Sequence, residues 1–137
     1  MRPITFEVVG DPVPQPRPRI TVRGRHGHAY TPGDHAIHAY RAAIAAAARA
    51  AGATPIDHAP LTVVIDLVFT RPPSHYQKSG ELNPRTAKPV PRGDCTNYAK
   101  GIEDALNGVA WKDDVQIGKV VIEKTWGTEA RTTVRIS

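Results

Sequence analysis

The stretch Leu61-Thr62-Val63-Val64-Ile65-Asp66-Leu67-Val68-Phe69 places Leu61, Val63, Ile65, Leu67 and Phe69 at alternate positions, which is the period of a strand. Val64 and Val68 also put apolar groups on its second face, so the strand reads as buried on both sides. Upstream, Pro32-Gly33-Asp34 opens an alanine-rich helix with Asp34 as its expected N-cap, and Gly52 stops it. Before that helix, Ile4, Phe6 and Val8 alternate in a first strand. The intervening Pro12-Val13-Pro14-Gln15-Pro16-Arg17-Pro18-Arg19 has proline at every second position, so it reads as an extended basic connector. Arg23-Gly24-Arg25-His26-Gly27-His28 reads as a loop or hairpin tip.

Downstream, residues 71–93 contain five prolines and five Lys or Arg residues without periodicity. Such a stretch inside a compact domain reads as a functional or mobile loop. A second helix runs from about Thr96 to Asn107 and is ended by Gly108. Strands follow near Gln116–Lys124 and Arg131–Ile136, joined by a turn at Gly127. The order β, α, β, α, β, β predicts a single small α/β domain over residues 1–137, with a mixed sheet of four or more strands packed with two main helices.

Length and composition agree with one domain: 137 residues, 14.8 kDa and an apolar share of 40% can supply one core. The net charge of +5 and a pI near 9.7 favour a polyanionic partner. The lone Cys95 cannot form an intrachain disulfide, which suits a reducing compartment. No apolar stretch approaches the roughly 20 residues of a membrane helix, and Glu7 and Asp11 interrupt any signal sequence. The expectation is a cytoplasmic protein that does not engage a membrane.

Charge is unevenly spread. Residues 1–93 hold twelve basic and six acidic side chains, whereas residues 94–137 hold six and seven. Asp94, Glu103, Asp104, Asp113 and Asp114 crowd into 21 residues. A carboxylate cluster in a basic chain suggests a cation site within a phosphate-attracting surface.

On the second helix, Tyr98, Ile102, Ala105 and Leu106 share one side, while Asn97, Lys100 and Asp104 share another. Asp113-Asp114 follows the reversal at Gly108, so it can fold back towards Asp94. Two or three converging carboxylates suit Mg²⁺, and Lys100 would stabilise charge on a phosphorane or help activate water. The same residues have plainer readings. Asp94 or Thr96 caps the helix, Asp113-Asp114 makes a turn, and Lys100 with Asp104 forms an i, i+4 surface pair.

The segments Asp94-Cys95-Thr96-Asn97-Tyr98-Ala99-Lys100, Asp104-Ala105-Leu106-Asn107-Gly108 and Trp111-Lys112-Asp113-Asp114-Val115-Gln116 resemble the RusA family of Holliday-junction resolvases, common in phages and prophages. That family carries Asp-x-Asp-Asn-x-x-Lys, then Asp-Ala-Leu, then Asp-Asp. Gly10 to Arg19, followed by His28-Ala29-Tyr30-Thr31-Pro32, resembles its N-terminal segment, so the likeness spans nearly the whole chain.

The resemblance implies a homodimer that binds branched DNA at four-way junctions and nicks two strands symmetrically in recombination and repair. It implies Mg²⁺, with Mn²⁺ as a substitute, and no organic cofactor. Asp94, Lys100 and Asp114 would be catalytic, and Asp94, Thr96, Asp113 and Asp114 would hold metal. Thr96 departs from the family, which has an acid there; its hydroxyl can ligate Mg²⁺ but brings no charge. Asp113, Asp104 or Asp66 would have to compensate. Otherwise the protein binds branched DNA without cutting it. A flap or single-strand nuclease is a further reading.

Arg17, Arg19, Arg23, Arg25, Arg71, Lys78, Arg85, Lys88 and Arg92, together with Asn97 and Lys100, are the expected DNA contacts. His26-x-His28 and His35-x-x-His38 suggest zinc by spacing, but with one cysteine available they read as loop and helix-surface residues. Tyr30, Trp111 and Trp126 read as core or edge packing by default.

Overall fold

The computed structural model describes residues 2–16, 19–24 and 26–137. Its elements are β1 (Ile4–Val9), β2 (Arg19–Arg23), β3 (His26–Tyr30), α1 (Ala36–Ala50), β4 (Leu61–Phe69), α2 (Cys95–Leu106), β5 (Ile117–Trp126) and β6 (Arg131–Ile136). Two single-turn 3₁₀ helices lie at Pro73–His75 and Asp114–Gln116.

The main sheet has the order β1-β6-β4-β5, and β2 with β3 forms a separate antiparallel hairpin. Arg23 pairs with His26 at the end of this hairpin, whose first strand begins inside the expected connector. β4 and β5 are parallel, while β6 runs antiparallel to both β1 and β4. The sheet is mixed, as the element order predicts. β5 leads into β6 across the end of β4, where Gly127 N donates to Phe69 O at 2.8 Å. A Cβ at Gly127 would stand 2.5 Å from Val68 Cγ1, so the crossing requires glycine.

β4 is buried on one face rather than two. Leu61, Val63, Ile65 and Leu67 are fully covered, whereas Asp66 is exposed and Val64 and Val68 are only half-buried. The core cluster joins the covered face to Ile37, Ile44, Ile102 and Leu106, which places both helices on that side. Each such fully buried side chain contributes ~1.5–3 kcal/mol.

The α1 cap is His35 rather than Asp34: its Nδ1 accepts from Ile37 N at 3.0 Å. A turn, with His35 N donating to Pro32 O at 3.1 Å, moves the helix start one residue along. At the other end Gly52 adopts φ +94, with Gly52 N to Arg49 O at 3.0 Å and Ala53 N to Ala48 O at 2.9 Å. That pair of bonds is a Schellman motif, as expected of a glycine stop.

Candidate nuclease site

Helix α2 organises the site. Its apolar side (Tyr98, Ala99, Ile102, Leu106) enters the core, which turns Thr96, Lys100 and Glu103 towards a groove against β5. At 100° per residue these three form one stripe. With Asn97, Val120 and Ile122 they line a cavity of about 440 Å³.

Asp94 stands at the N-cap position of α2, yet its side chain makes no capping bond. The plain capping reading therefore does not account for its carboxylate. Lys124 Nζ donates to Pro91 O at 2.8 Å and Gly93 O at 2.5 Å, which fixes the chain just before Asp94 and brings a cation near it. Lys124 lacked any signal in the sequence, because only the strand register carries it there.

At the opposite end, Gly108 N donates to Trp111 O at 2.7 Å, turning the chain tightly after the helix. Trp111 is fully buried, and its Nε1 donates to Asp114 Oδ1 at 2.6 Å. Asp113 follows the plain reading: its carboxylate accepts from Val115 N at 3.0 Å, and Gln116 Oε1 accepts from Asp113 N at 3.1 Å. Lys100 and Asp104 also form the expected i, i+4 pair at 3.0 Å, and Arg41 joins Asp104 at 3.2 Å. Arg41 further donates to Gln15, whose backbone N bonds Asn97 O at 3.0 Å, so the proline-rich connector is strapped across α2.

Asp94 precedes the first turn of the 12-residue α2, whereas Asp114, beyond the reversal, acts electrostatically on Glu103 and on Lys100. Among the described residues no three His, Cys, Asp or Glu side chains form a group able to hold a metal. The acid beside Asp114 is Glu103, which belongs to the acidic cluster of the sequence but not to its expected metal ligands. Burial, then the negative field of Asp114, pushes the Glu103 carboxyl above its usual range, and Lys100 opposes the rise. The Lys100 ammonium is raised, chiefly by its bond to and attraction for Asp104, with Asp114 and Glu103 adding to it. Helical spacing of Glu103 from Thr96 and Lys100 was the signal available. Asp66 points to the open face, opposite Glu123 and Thr133, away from α2, and so does not replace the missing family acid.

Of the expected DNA contacts, Lys78, Arg85, Lys88, Arg92, Asn97 and Lys100 are exposed. Arg71 departs from expectation. It is half-buried, lies 4.8 Å over the Trp126 ring and donates to Lys88 O at 2.9 Å, so it anchors the 71–93 loop. Arg17 and Arg25 lie outside the described residues, as do the side chains of Arg19, Arg23, His26 and His28. His35 and His38 both bond local backbone, consistent with surface roles.

The model of the family described as Endodeoxyribonuclease RusA matches residues 10–137. The chain belongs to the RusA family. It is also 30% identical over 143 residues to the uncharacterized protein YqaN of Bacillus subtilis (strain 168), covering 97% of this chain and 94% of that one. RusA membership supports nuclease activity. The RusA-type chain shows, among its described residues, no helix long and apolar enough to cross a membrane.

Proposed function

We propose that the protein is a Mg²⁺-dependent, structure-selective endodeoxyribonuclease that resolves four-way DNA junctions by paired symmetric nicks, acting as a homodimer in the cytoplasm. The observation that carries this reading is the uncapped Asp94 carboxylate at one end of α2, with Lys100 on the same helix and Asp114 acting on it from the following turn, in a RusA-family chain.

The donor set consists of carboxylate oxygens, which suits Mg²⁺ or Mn²⁺. Among the described residues of one chain no three such acids cluster, so in this reading a partner completes the set. A two-fold partner would set Asp94 of one protomer against Asp114 of the other, and place two such sites symmetrically for opposed strands. Asp94 and Asp114 would hold the ion, with Thr96 or Glu103 completing the set. When bound, the ion would polarise the phosphodiester and acidify a water. Lys100, already oriented by Asp104, would neutralise charge developing on the phosphate.

Mixing subunits tests this. Asp94→Asn and Asp114→Asn should each abolish cutting alone, whereas mixed dimers should regain nicking because one of their two sites is intact. Mixtures as inactive as either parent would overturn the shared site. Labelled four-way junction, linear duplex and flap, each with Mg²⁺, Mn²⁺ or EDTA, test the substrate. Paired nicks confined to junction with metal support the proposal, and faster flap cutting contradicts it. Thr96, at a position the family fills with an acid, favours a second reading in which branched DNA is bound but not cut; retarded, intact junction would support that.

A further inference from the structure

The 71–93 loop encloses a cavity of about 590 Å³ against the end of β5, and the chemistry above makes no use of it. Its size falls within the roughly 300–1,000 Å³ of small-ligand sites. Trp126, Val90 and Pro91 give apolar wall, Lys88 and Arg92 bring positive charge, and no Asp or Glu lines it among the described residues.

The wall is built rather than incidental. Trp126 Nε1 donates to Lys88 O at 2.9 Å, and Arg71 covers the ring at 4.8 Å while bonding the same carbonyl at 2.9 Å. His75, itself buried, packs edge-on against Trp126 with centroids 5.2 Å apart. Arg92 lies between Pro91 and Gly93, whose carbonyls are both held by Lys124, and Asp94 follows at once. The cavity therefore adjoins the Asp94 end of α2.

An apolar hollow with a cationic rim and no acid suits a flat ring that carries a phosphate. A base within a duplex is stacked on both faces and cannot enter such a hollow; an extruded one can. The geometry points to a pocket for one unstacked nucleotide, its base against Trp126, Val90 and Pro91 and its phosphate on Lys88 and Arg92. This rests on the DNA reading above and deepens it: the nuclease would sense one unpaired nucleotide next to the cut, which the exchange point of a branched substrate supplies.

Tryptophan emission reads the pocket directly, because Trp111 is fully buried and Trp126 is half-buried. In EDTA, a short oligothymidylate should change the emission saturably, and a blunt linear duplex should not. Val90→Asp should weaken that response at least about five-fold, the scale of a lost base contact. Gln77→Asp adds the same charge to an exposed position of the loop outside the cavity and should leave the response within about two-fold. No saturable change with oligothymidylate, or equal losses in the two variants, overturns the pocket. Junction binding without an oligothymidylate response removes the pocket and leaves the nuclease reading. An oligothymidylate response without junction binding sustains the pocket and removes the junction reading.

Discussion

Trp111 Nε1 donates to Asp114 Oδ1 at 2.6 Å, so the largest fully buried side chain of the molecule orients an acid at the edge of the α2 groove. One carboxylate oxygen is fixed by the core, and Oδ2 is left for a second partner. Trp111→Phe keeps an aromatic ring but removes the donor and leaves a void. Stability should fall by ~1–3 kcal/mol. Cutting should fall by at least about ten-fold, because small misplacements of a reacting group are costly. Urea unfolding and junction nicking check both, with affinity for uncut junction in EDTA held as the control. Full activity in a destabilised Trp111→Phe protein would separate Asp114 from catalysis.

Asp94→Asn distinguishes a cap from a catalytic acid. Asn is as good an N-cap as Asp, and Asp94 makes no capping bond, so stability should change by no more than ~0.5 kcal/mol. Cutting should be lost while junction affinity stays. Thermal unfolding and nicking measured on one preparation decide it. A clearly lowered melting temperature with intact cutting would return Asp94 to a structural role.

The strands of the main sheet and both helices were legible because their periods are strong, whereas β2 and β3 were not. β4 alternates over nine residues, and α1 is closed by a glycine with the expected positive φ. The pairing was not. Nothing local in β6 says that it inserts between β1 and β4 rather than beside β5, and nothing local in β4 says that both helices pack on one of its faces. The α2 motif put Asp94 at the helix start and Lys100 on the helix, but did not give the course of the chain that follows. Spacing brings Asp113-Asp114 back from a turn, whereas the tight reversal at Gly108–Trp111 leaves Asp114 near the helix end. Glu103 stands in the acidic cluster of the sequence, but its place beside Thr96 and Lys100 follows only from the helical stripe they share.

Thr96 and Glu103 are seven residues apart, about 20° short of two full turns, and both line the groove. They should act in opposite directions on metal demand. Thr96→Asp adds a carboxylate and should lower the Mg²⁺ concentration for half-maximal cutting several-fold. Glu103→Gln removes one and should raise it. Nicking measured across a Mg²⁺ titration tests the pair, and unchanged half-saturation in both variants would mean that neither side chain faces the ion.

Tyr40 gives a pH signature independent of DNA. Its hydroxyl lies 2.5 Å from Thr132 Oγ1 in the core, and burial pushes its pKa from 10.0 to about 12; the Thr132 bond opposes that rise and Tyr98 adds to it. Below pH 10 the phenol is protonated both folded and unfolded, and its contribution is intact. Between pH 10 and about 12 the unfolded chain gives up the proton first, so the folded state loses up to ~3 kcal/mol as pH rises. Tyr40→Phe cannot titrate, but it leaves the fully buried Thr132 hydroxyl without this partner, at about 1–3 kcal/mol near neutrality. Wild type should therefore be the more stable at neutral pH, and the gap should narrow above pH 10. Urea unfolding of both proteins across that range measures it, with Tyr98, also raised by burial, common to the two. Parallel stability curves through the alkaline window would mean that the Tyr40 phenol ionises as freely folded as unfolded.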